Sequence, residues 1–180
     1  MKQLWSPWRM EYIESLKQDG CVFCQTIEEE DGKENLIIVR GETSFVILNR
    51  YPYTSGHIMV LPFIHIPKLS EIDQKTRTEM MELVSKATEV LQRVYKPEGF
   101  NVGINMGEAA GAGIEDHLHI HIVPRWKGDT NFMSAVGETR VLPEELEETH
   151  RRICAAWQAS SSENISKQKI GENNGNQQTK

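Results

Sequence analysis

The sequence predicts an α+β fold in which an antiparallel sheet packs one face against a single long helix. Three strand-like runs lie close together in the first third of the chain, as in a meander. A long segment with helical apolar spacing follows at 70–94, before two further strand-like runs. The runs cover residues 36–40, 45–48, 57–61, 100–106 and 117–124. Neighbouring strands of this kind pair antiparallel, and one amphipathic helix covers a face of their sheet.

The segments outside this predicted core have a different composition. Residues 1–20 carry aromatic and aliphatic side chains at a roughly helical spacing and are expected to dock on another surface. Pro143 is expected to begin a last helix that ends at about Trp157, because proline is favoured in a first helical turn. Residues 158–180 are polar and glycine-containing and are expected to be disordered. The prediction is therefore a docking segment, a domain at 21–157 and a tail.

Length, charge and apolar content restrict the class of protein. The 180 residues suit one domain, and the formal net charge of −6 argues against binding along a nucleic-acid duplex. No apolar run reaches the roughly 18 residues that span a bilayer, and the first residues lack the apolar block of a signal peptide. We therefore expect a soluble, cytoplasmic protein without a membrane partner. Its three cysteines are expected to be thiols or metal ligands rather than a disulfide framework.

Three of the six histidines alternate with apolar residues at His117, His119 and His121. Alternate side chains of a strand share a face, so the three imidazoles are predicted to line one face together. Neighbouring histidines would lie about 6.6 Å apart along the strand, which is too far for all three to bind one metal ion. A metal site built on an adjacent pair stays open. His150, on the predicted last helix, is expected at the surface.

The segment HLHIHIV at 117–123 resembles the signature of the histidine triad (HIT) superfamily. The resemblance extends over about residues 21–126, because 49–62 is similar to the family's upstream strand and 105–113 to its phosphate loop. It implies a HIT-like fold of five antiparallel strands, one long crossing helix and a C-terminal helix. Within the superfamily, the leader, the cysteine pair and the residues after the triad are most similar to bacterial diadenosine polyphosphate phosphorylases and hydrolases.

The resemblance implies roles for four histidines. His119 would attack the α-phosphate of a nucleotide and carry it as a nucleotidyl-histidine. His121 would hold a phosphate oxygen, His117 would complete the triad, and His57 would support the site. A purely structural position in the core is the alternative for His57. A neutral imidazole whose other nitrogen is a fixed donor is a competent nucleophile near pH 7. The substrate implied is a dinucleoside polyphosphate such as diadenosine tetraphosphate, with water or phosphate as acceptor.

Six further positions are expected to bind substrate. They are Asn49, Asn105, Gly111, Gly113, Arg125 and Trp126. Small residues at 106–114 let backbone N–H groups approach an anion, although a plain turn would have the same composition. Arg125 would balance polyphosphate charge or begin a solvated turn, and Trp126 would stack on a base or simply pack.

This chain departs from the family at one place. Many members carry Ser or Thr three or four residues before the first triad histidine, where Gly113 and Ile114 stand here. A phosphate leaving group, whose second pKa is about 6, needs little protonation, whereas an amine needs an acid. The missing hydroxyl therefore favours a polyphosphate over a phosphoramidate substrate.

Cys21 and Cys24 have the spacing of a zinc knuckle and need further ligands among the histidines. In several bacterial members of the superfamily such a pair joins two histidines, which correspond to His65 and His117 here. The resemblance thus implies a closed, structural zinc site. A pair of reduced buried thiols and a redox motif are the alternatives.

The resemblance also implies a homo-oligomer, a dimer or larger, formed by joining sheets. It implies no obligate catalytic metal, but magnesium on the substrate would lessen repulsion from the acidic protein. Two other enzyme classes stay open, a nucleoside phosphoramidase and a nucleotidyltransferase to another acceptor. A non-catalytic nucleotide-binding regulatory protein is the alternative from a different class. A zinc hydrolase is disfavoured because Asp116 alone is near to complete its ligand set.

Overall fold

The computed structural model describes residues 20–129 and 144–175, with side chains as far as residue 162. The helices are α1 (Val22–Glu28), α2 (Gln74–Tyr95) and α3 (Leu146–Gly175). The strands are β1 (Ile37–Arg40), β2 (Ser44–Leu48), β3 (Ile58–Pro62), β4 (Gly99–Ile104) and β5 (Ile120–Arg125). Short 3₁₀ turns occupy Leu69–Glu71 and Glu108–Ala110. The leader at 1–19 and the predicted helix start at Pro143 lie outside the described residues.

The five strands form one antiparallel sheet in the order β1-β2-β3-β5-β4. Strands β2 and β3 are buried at every position, so both faces of the sheet centre are covered. Helix α2 packs Met80, Ala87 and Leu91 into the same apolar core. Strand β4 forms an edge and exposes Val102. The architecture confirms the predicted α+β class.

Helix α2 begins and ends at residues whose chemistry explains its bounds. The Asp73 carboxylate accepts the Thr76 N–H at 3.0 Å and so caps the first turn. The helix ends where Lys96 adopts the left-handed conformation with φ 47°, immediately before Pro97. The predicted start near Ser70 is too early, because a separate 3₁₀ turn occupies that segment.

The histidine segment enters the sheet later than predicted. Strand β5 begins at Ile120, so of the three histidines only His121 lies within it. Ahead of the strand, the Leu118 N–H donates to the Ile66 carbonyl at 2.7 Å, which ties the segment to the loop after β3. This loop carries His65, another expected metal ligand. His117 and His119 therefore have different neighbours from His121.

Helix α3 corrects two predictions about the C-terminal part. The expected end at about Trp157 is wrong, because the helix continues to Gly175 and its next turn packs on α2. There Ser160 is buried and Lys86 donates to the Ser161 hydroxyl at 2.6 Å. His150 is buried rather than at the surface, since its Nε2–H donates to the Ile37 carbonyl of β1 at 2.9 Å. None of the helices described here is long and apolar enough to cross a membrane.

Candidate active site

One end of the histidine segment lies in a cluster of sulfur and nitrogen atoms. His117 Nδ1 is 3.4 Å from Cys21 Sγ and 3.7 Å from Cys24 Sγ, and Cys24 Sγ is 3.4 Å from His65 Nδ1. All four ligand atoms lie within 4.8 Å of one another. Tetrahedral zinc with ordinary Zn–S and Zn–N bonds separates its ligands by about 3.3–3.8 Å. The structure thus brings together the four residues that the resemblance implied.

Local structure fixes the ligand atoms of this cluster. Cys21 occupies the N-cap position of α1 and Cys24 lies in its first turn, so a short helix holds both thiols on the same side. His117 is fully buried and its Nε2–H donates to the Pro62 carbonyl at 2.9 Å, which leaves the Nδ1 lone pair for a metal. Burial and the neighbouring Cys21 thiol raise the pKa of Cys24 to about 11. At neutral pH this thiol keeps its proton until a bound cation stabilises the thiolate and the proton is released to water.

The middle histidine is held as a neutral imidazole with one lone pair. His119 Nδ1–H donates to the backbone carbonyl of His117 at 2.9 Å, so Nε2 is the unprotonated nitrogen. Burial lowers the pKa of His119, which is 5% exposed, and keeps the ring uncharged at pH 7. The Phe23 ring packs 5.5 Å from the rings of both His117 and His119. The cysteine helix therefore contacts the nucleophile candidate directly.

A second set of hydrogen bonds fixes the other end of the segment. The Tyr53 N–H donates to His57 Nδ1 at 3.1 Å, so His57 carries its proton on Nε2. That Nε2–H donates to His121 Nδ1 at 3.0 Å, and His121 must then carry its proton on Nε2. Burial lowers the pKa of His121 to about 4, so this ring is neutral at pH 7. Its centroid lies 4.7 Å from that of His119, which places an N–H donor beside a lone pair.

Among the expected substrate-binding residues, Asn49 lies at this second end. Its Nδ2 is 3.4 Å from both ring nitrogens of His57, and its backbone N–H donates to the His57 carbonyl at 2.9 Å. Asn105 follows β4 and leads into the loop that ends at His117. Within that loop the Gly111 N–H donates to the Glu108 carbonyl at 2.8 Å, so the turn itself uses this amide. Gly113 is half-buried.

The other two expected substrate-binding residues have different surroundings. The Arg125 guanidinium donates to the Asp129 carboxylate at 2.9 Å and to Asn101 Oδ1 at 2.7 Å, which directs it to the outer edge of β4. Trp126 is half-buried, and its backbone N–H donates to the same carboxylate at 3.3 Å. Neither arrangement is a direct contact with the histidines.

The sequence reasoning missed two residues that contact the histidines. Phe23 lies between the two cysteines, and a large apolar residue inside a Cys-x-x-Cys segment could have indicated packing against the histidines. The Tyr53 ring centroid lies 4.7 Å from that of His57, and its position four residues before that histidine could have indicated the contact.

Comparison with known proteins agrees with this geometry. The HIT domain family matches residues 31–128. A Mycobacterium tuberculosis protein named AP-4-A phosphorylase is 36% identical over 165 residues, 87% of this chain and 85% of its own. An asymmetrical bis(5'-nucleosyl)-tetraphosphatase from Schizosaccharomyces pombe is 31% identical over 93 residues, 52% of this chain and 50% of its own. A Zn-bound histidine triad family protein from Mycobacterium smegmatis superposes with a TM-score of 0.64 at 29% identity, covering 79% of this chain and 96% of its own. This chain belongs to the HIT domain family.

Proposed function

We propose that this protein cleaves dinucleoside polyphosphates at the α-phosphate, with His119 as the nucleophile. The main support for the proposal is that hydrogen bonds fix the tautomers of His119 and His121. His119 Nδ1–H is occupied by a carbonyl at 2.9 Å, and its neutral ring offers an Nε2 lone pair next to the Nε2–H of His121. The similarity to proteins named AP-4-A phosphorylase and tetraphosphatase supports the same substrate class.

The first chemical step forms a bond between His119 Nε2 and the α-phosphorus. The bond from that phosphorus to the bridging oxygen breaks, and a nucleoside polyphosphate leaves. His121 Nε2–H donates to a non-bridging oxygen, where negative charge grows in the transition state. Because the His119 ring is neutral and buried, no solvation shell has to be removed from a charged nucleophile.

The second step returns the enzyme to its starting state. Water or inorganic phosphate attacks the same phosphorus, the phosphorus–nitrogen bond breaks, and His119 recovers its lone pair. Water yields a nucleoside monophosphate and releases a proton, whereas phosphate yields a nucleoside diphosphate. The leaving groups in both steps are weakly basic, which fits the absence of a hydroxyl at Gly113 and Ile114.

The four-residue cluster is proposed as a zinc site. Two thiols and two imidazole Nδ1 atoms are donors that zinc prefers, and three of their six separations, at 3.4–3.7 Å, equal those of tetrahedral ligands, while all six are within 4.8 Å. When bound, zinc supplies four bonds that hold α1 against the histidine segment. The Zn-bound M. smegmatis relative supports the assignment. A redox motif stays the alternative for Cys21 and Cys24, which stand at the start of α1.

A homo-oligomer, magnesium on the substrate and a cytoplasmic location stay predictions. The exposed edge of β4, with Val102 47% exposed, supports association of sheets, and light scattering would measure the mass of the particle. Metal-titrated kinetics would measure any dependence on magnesium.

The function is tested by incubation with diadenosine tetraphosphate, with and without inorganic phosphate, and chromatography of the products. ATP with AMP in the absence of phosphate identifies a hydrolase, and ATP with ADP only in its presence identifies a phosphorylase. The His119→Ala variant should bind nucleotide without turnover. Cleavage that survives this substitution contradicts the mechanism, and tight nucleotide binding without any cleavage by the unaltered protein would leave a regulatory binding protein.

A further inference from the structure

Tyr53 stands between the solvent and a pair of hydrogen-bonded histidines, of which His57 is buried and His121 half-buried. Its side chain is 49% exposed, whereas His57 directly beneath it is 0% exposed. We propose that Tyr53 is a positioning residue for His121 that acts through His57. The inference rests on the function proposed above, because it assigns His121 the task of donating Nε2–H to a phosphate oxygen.

The backbone of Tyr53 sets the tautomer of His57. The backbone N–H of Tyr53 donates to His57 Nδ1 at 3.1 Å. Two further hydrogen bonds hold the loop that carries Tyr53. The Thr54 hydroxyl donates to the Pro124 carbonyl of β5 at 3.0 Å, and the His57 N–H returns to the Thr54 carbonyl at 3.2 Å. Gly56 closes the loop with φ 77°, at a point where a Cβ would lie 3.0 Å from Tyr95. The loop is therefore folded back on the histidine that it orients.

The ring of Tyr53 covers the same histidine from outside. Its centroid is 4.7 Å from that of His57 at 33° between planes, and 6.2 Å from that of His121 at 31°. This cover excludes water, which would otherwise compete for His57 Nδ1 and release the ring from its tautomer. If His57 carried its proton on Nδ1, His121 would have to donate from its own Nδ1. His121 Nε2 would then hold a lone pair and would repel a phosphate oxygen.

The kinetic test compares Tyr53→Ala with Tyr53→Phe. We expect Tyr53→Ala to lower kcat about tenfold while KM changes less than about threefold, since a misdirected donor affects the transition state more than binding. Both variants keep the backbone N–H, but Tyr53→Phe also keeps the ring and should restore kcat to within about twofold. Met81→Ala is the matched control, because Met81 is also an exposed large side chain, at 56%, and lies on α2 away from the site.

A double-mutant cycle with His57→Ala tests the route of the effect. If Tyr53 acts through His57, Tyr53→Ala should cause no further loss of kcat in the His57→Ala background. Losses that multiply would overturn the proposal, and so would a rise in KM with unchanged kcat, which would make Tyr53 a direct substrate contact.

Nitrogen-15 NMR of the histidine side chains gives a readout that is independent of turnover. The unaltered protein and Tyr53→Phe should show His121 protonated on Nε2, and Tyr53→Ala should show a mixture with the Nδ1 form. An unchanged tautomer in Tyr53→Ala overturns the positioning role even if activity falls. Failure of the unaltered protein to cleave any dinucleoside polyphosphate would instead overturn the proposed function, while the NMR result would still decide the effect of Tyr53 on His121.

Discussion

The two ends of the histidine segment use the same side chain in opposite ways. We name the cluster of Cys21, Cys24, His65 and His117 the metal end, and the set of Tyr53, His57 and His121 the relay end. At the metal end, His117 donates Nε2–H to a carbonyl and turns the Nδ1 lone pair towards two thiols. At the relay end, His121 accepts on Nδ1 and turns an Nε2–H outward.

The difference teaches that the function of an imidazole follows from which of its nitrogens the protein has occupied. Sulfur ligands and a lone pair make a metal site, whereas a chain of nitrogen hydrogen bonds makes a neutral donor. His119 lies between the ends and depends on both. Its Nδ1–H is held by the backbone of His117 at 2.9 Å, and its ring lies 4.7 Å from that of His121.

The largest effect is expected where the two ends meet. His119→Ala removes the nucleophile and should lower kcat by about 10³-fold or more, because no other group can form the covalent intermediate. Measurement of kcat with diadenosine tetraphosphate, together with nucleotide affinity by calorimetry, checks this. His150→Gln is the matched control, since His150 is a buried histidine whose bond to the Ile37 carbonyl a glutamine amide can replace. Equal losses in the two variants would contradict a special role for His119.

Substitutions at the relay end should lower turnover without changing the zinc content. His121→Ala removes one donor to the developing phosphate charge, and we expect kcat to fall about 10²-fold. Zinc content and Tm should stay close to those of the unaltered protein, as measured by metal analysis and calorimetry. His121→Gln retains an N–H donor and should lose less. A loss of zinc in His121→Ala would show that the two ends are not independent.

Substitutions at the metal end should lower stability more than turnover. Cys24→Ser removes a ligand, so zinc should be lost and Tm should fall. We expect kcat to drop only about tenfold, through Phe23 and the backbone of His117, which contact the nucleophile. Cys154→Ser, at a half-buried thiol of α3, is the matched control. Unchanged kcat in a zinc-free Cys24→Ser protein would mean that the metal end does not position His119.

The sequence contained enough to predict the sheet, the long helix and the group of residues that forms the metal end. Strand periodicity and helical spacing are local signals, whereas the Cys-x-x-Cys spacing left its partners open among the histidines, and the resemblance to the HIT superfamily supplied His65 and His117. The start of β5 was not predictable in this way, because backbone pairing with β3 and β4 decides where a histidine-containing strand begins. The turn of α3 after Trp157 was missed because the packing of Ser160 and Ser161 on α2 overrides their weak helix propensity.

Tautomers were beyond the reach of the sequence. The pattern of alternating histidines treats all three as equivalent, but their hydrogen-bond partners are a carbonyl of β3, a carbonyl within the segment and an imidazole from the loop before β3. Two of these partners are backbone atoms, which carry no residue identity. Tyr53 likewise acts through its backbone N–H as well as its ring, and only the ring depends on residue type.

The smallest effect is expected in the pH dependence of stability at the relay end. Burial, followed by the nearby His119, lowers the pKa of His121 to about 4, whereas an unfolded histidine titrates at about 6.5. Between these values the unfolded chain binds a proton that the folded chain does not, so the free energy of unfolding should fall as the pH drops from 6.5 towards 4. His121→Gln removes this titration, and chemical denaturation at pH 7 and pH 5 should show a shallower loss of stability than in the unaltered protein. The metal end should add its own loss of stability over the same range in both proteins, because His117 is also unprotonated in the folded chain and takes up a proton on unfolding, so the difference between the two slopes belongs to His121. An equal slope in both proteins would mean that His121 takes up a proton in the folded state, and a charged His121 could not accept the hydrogen bond from His57 that defines the relay.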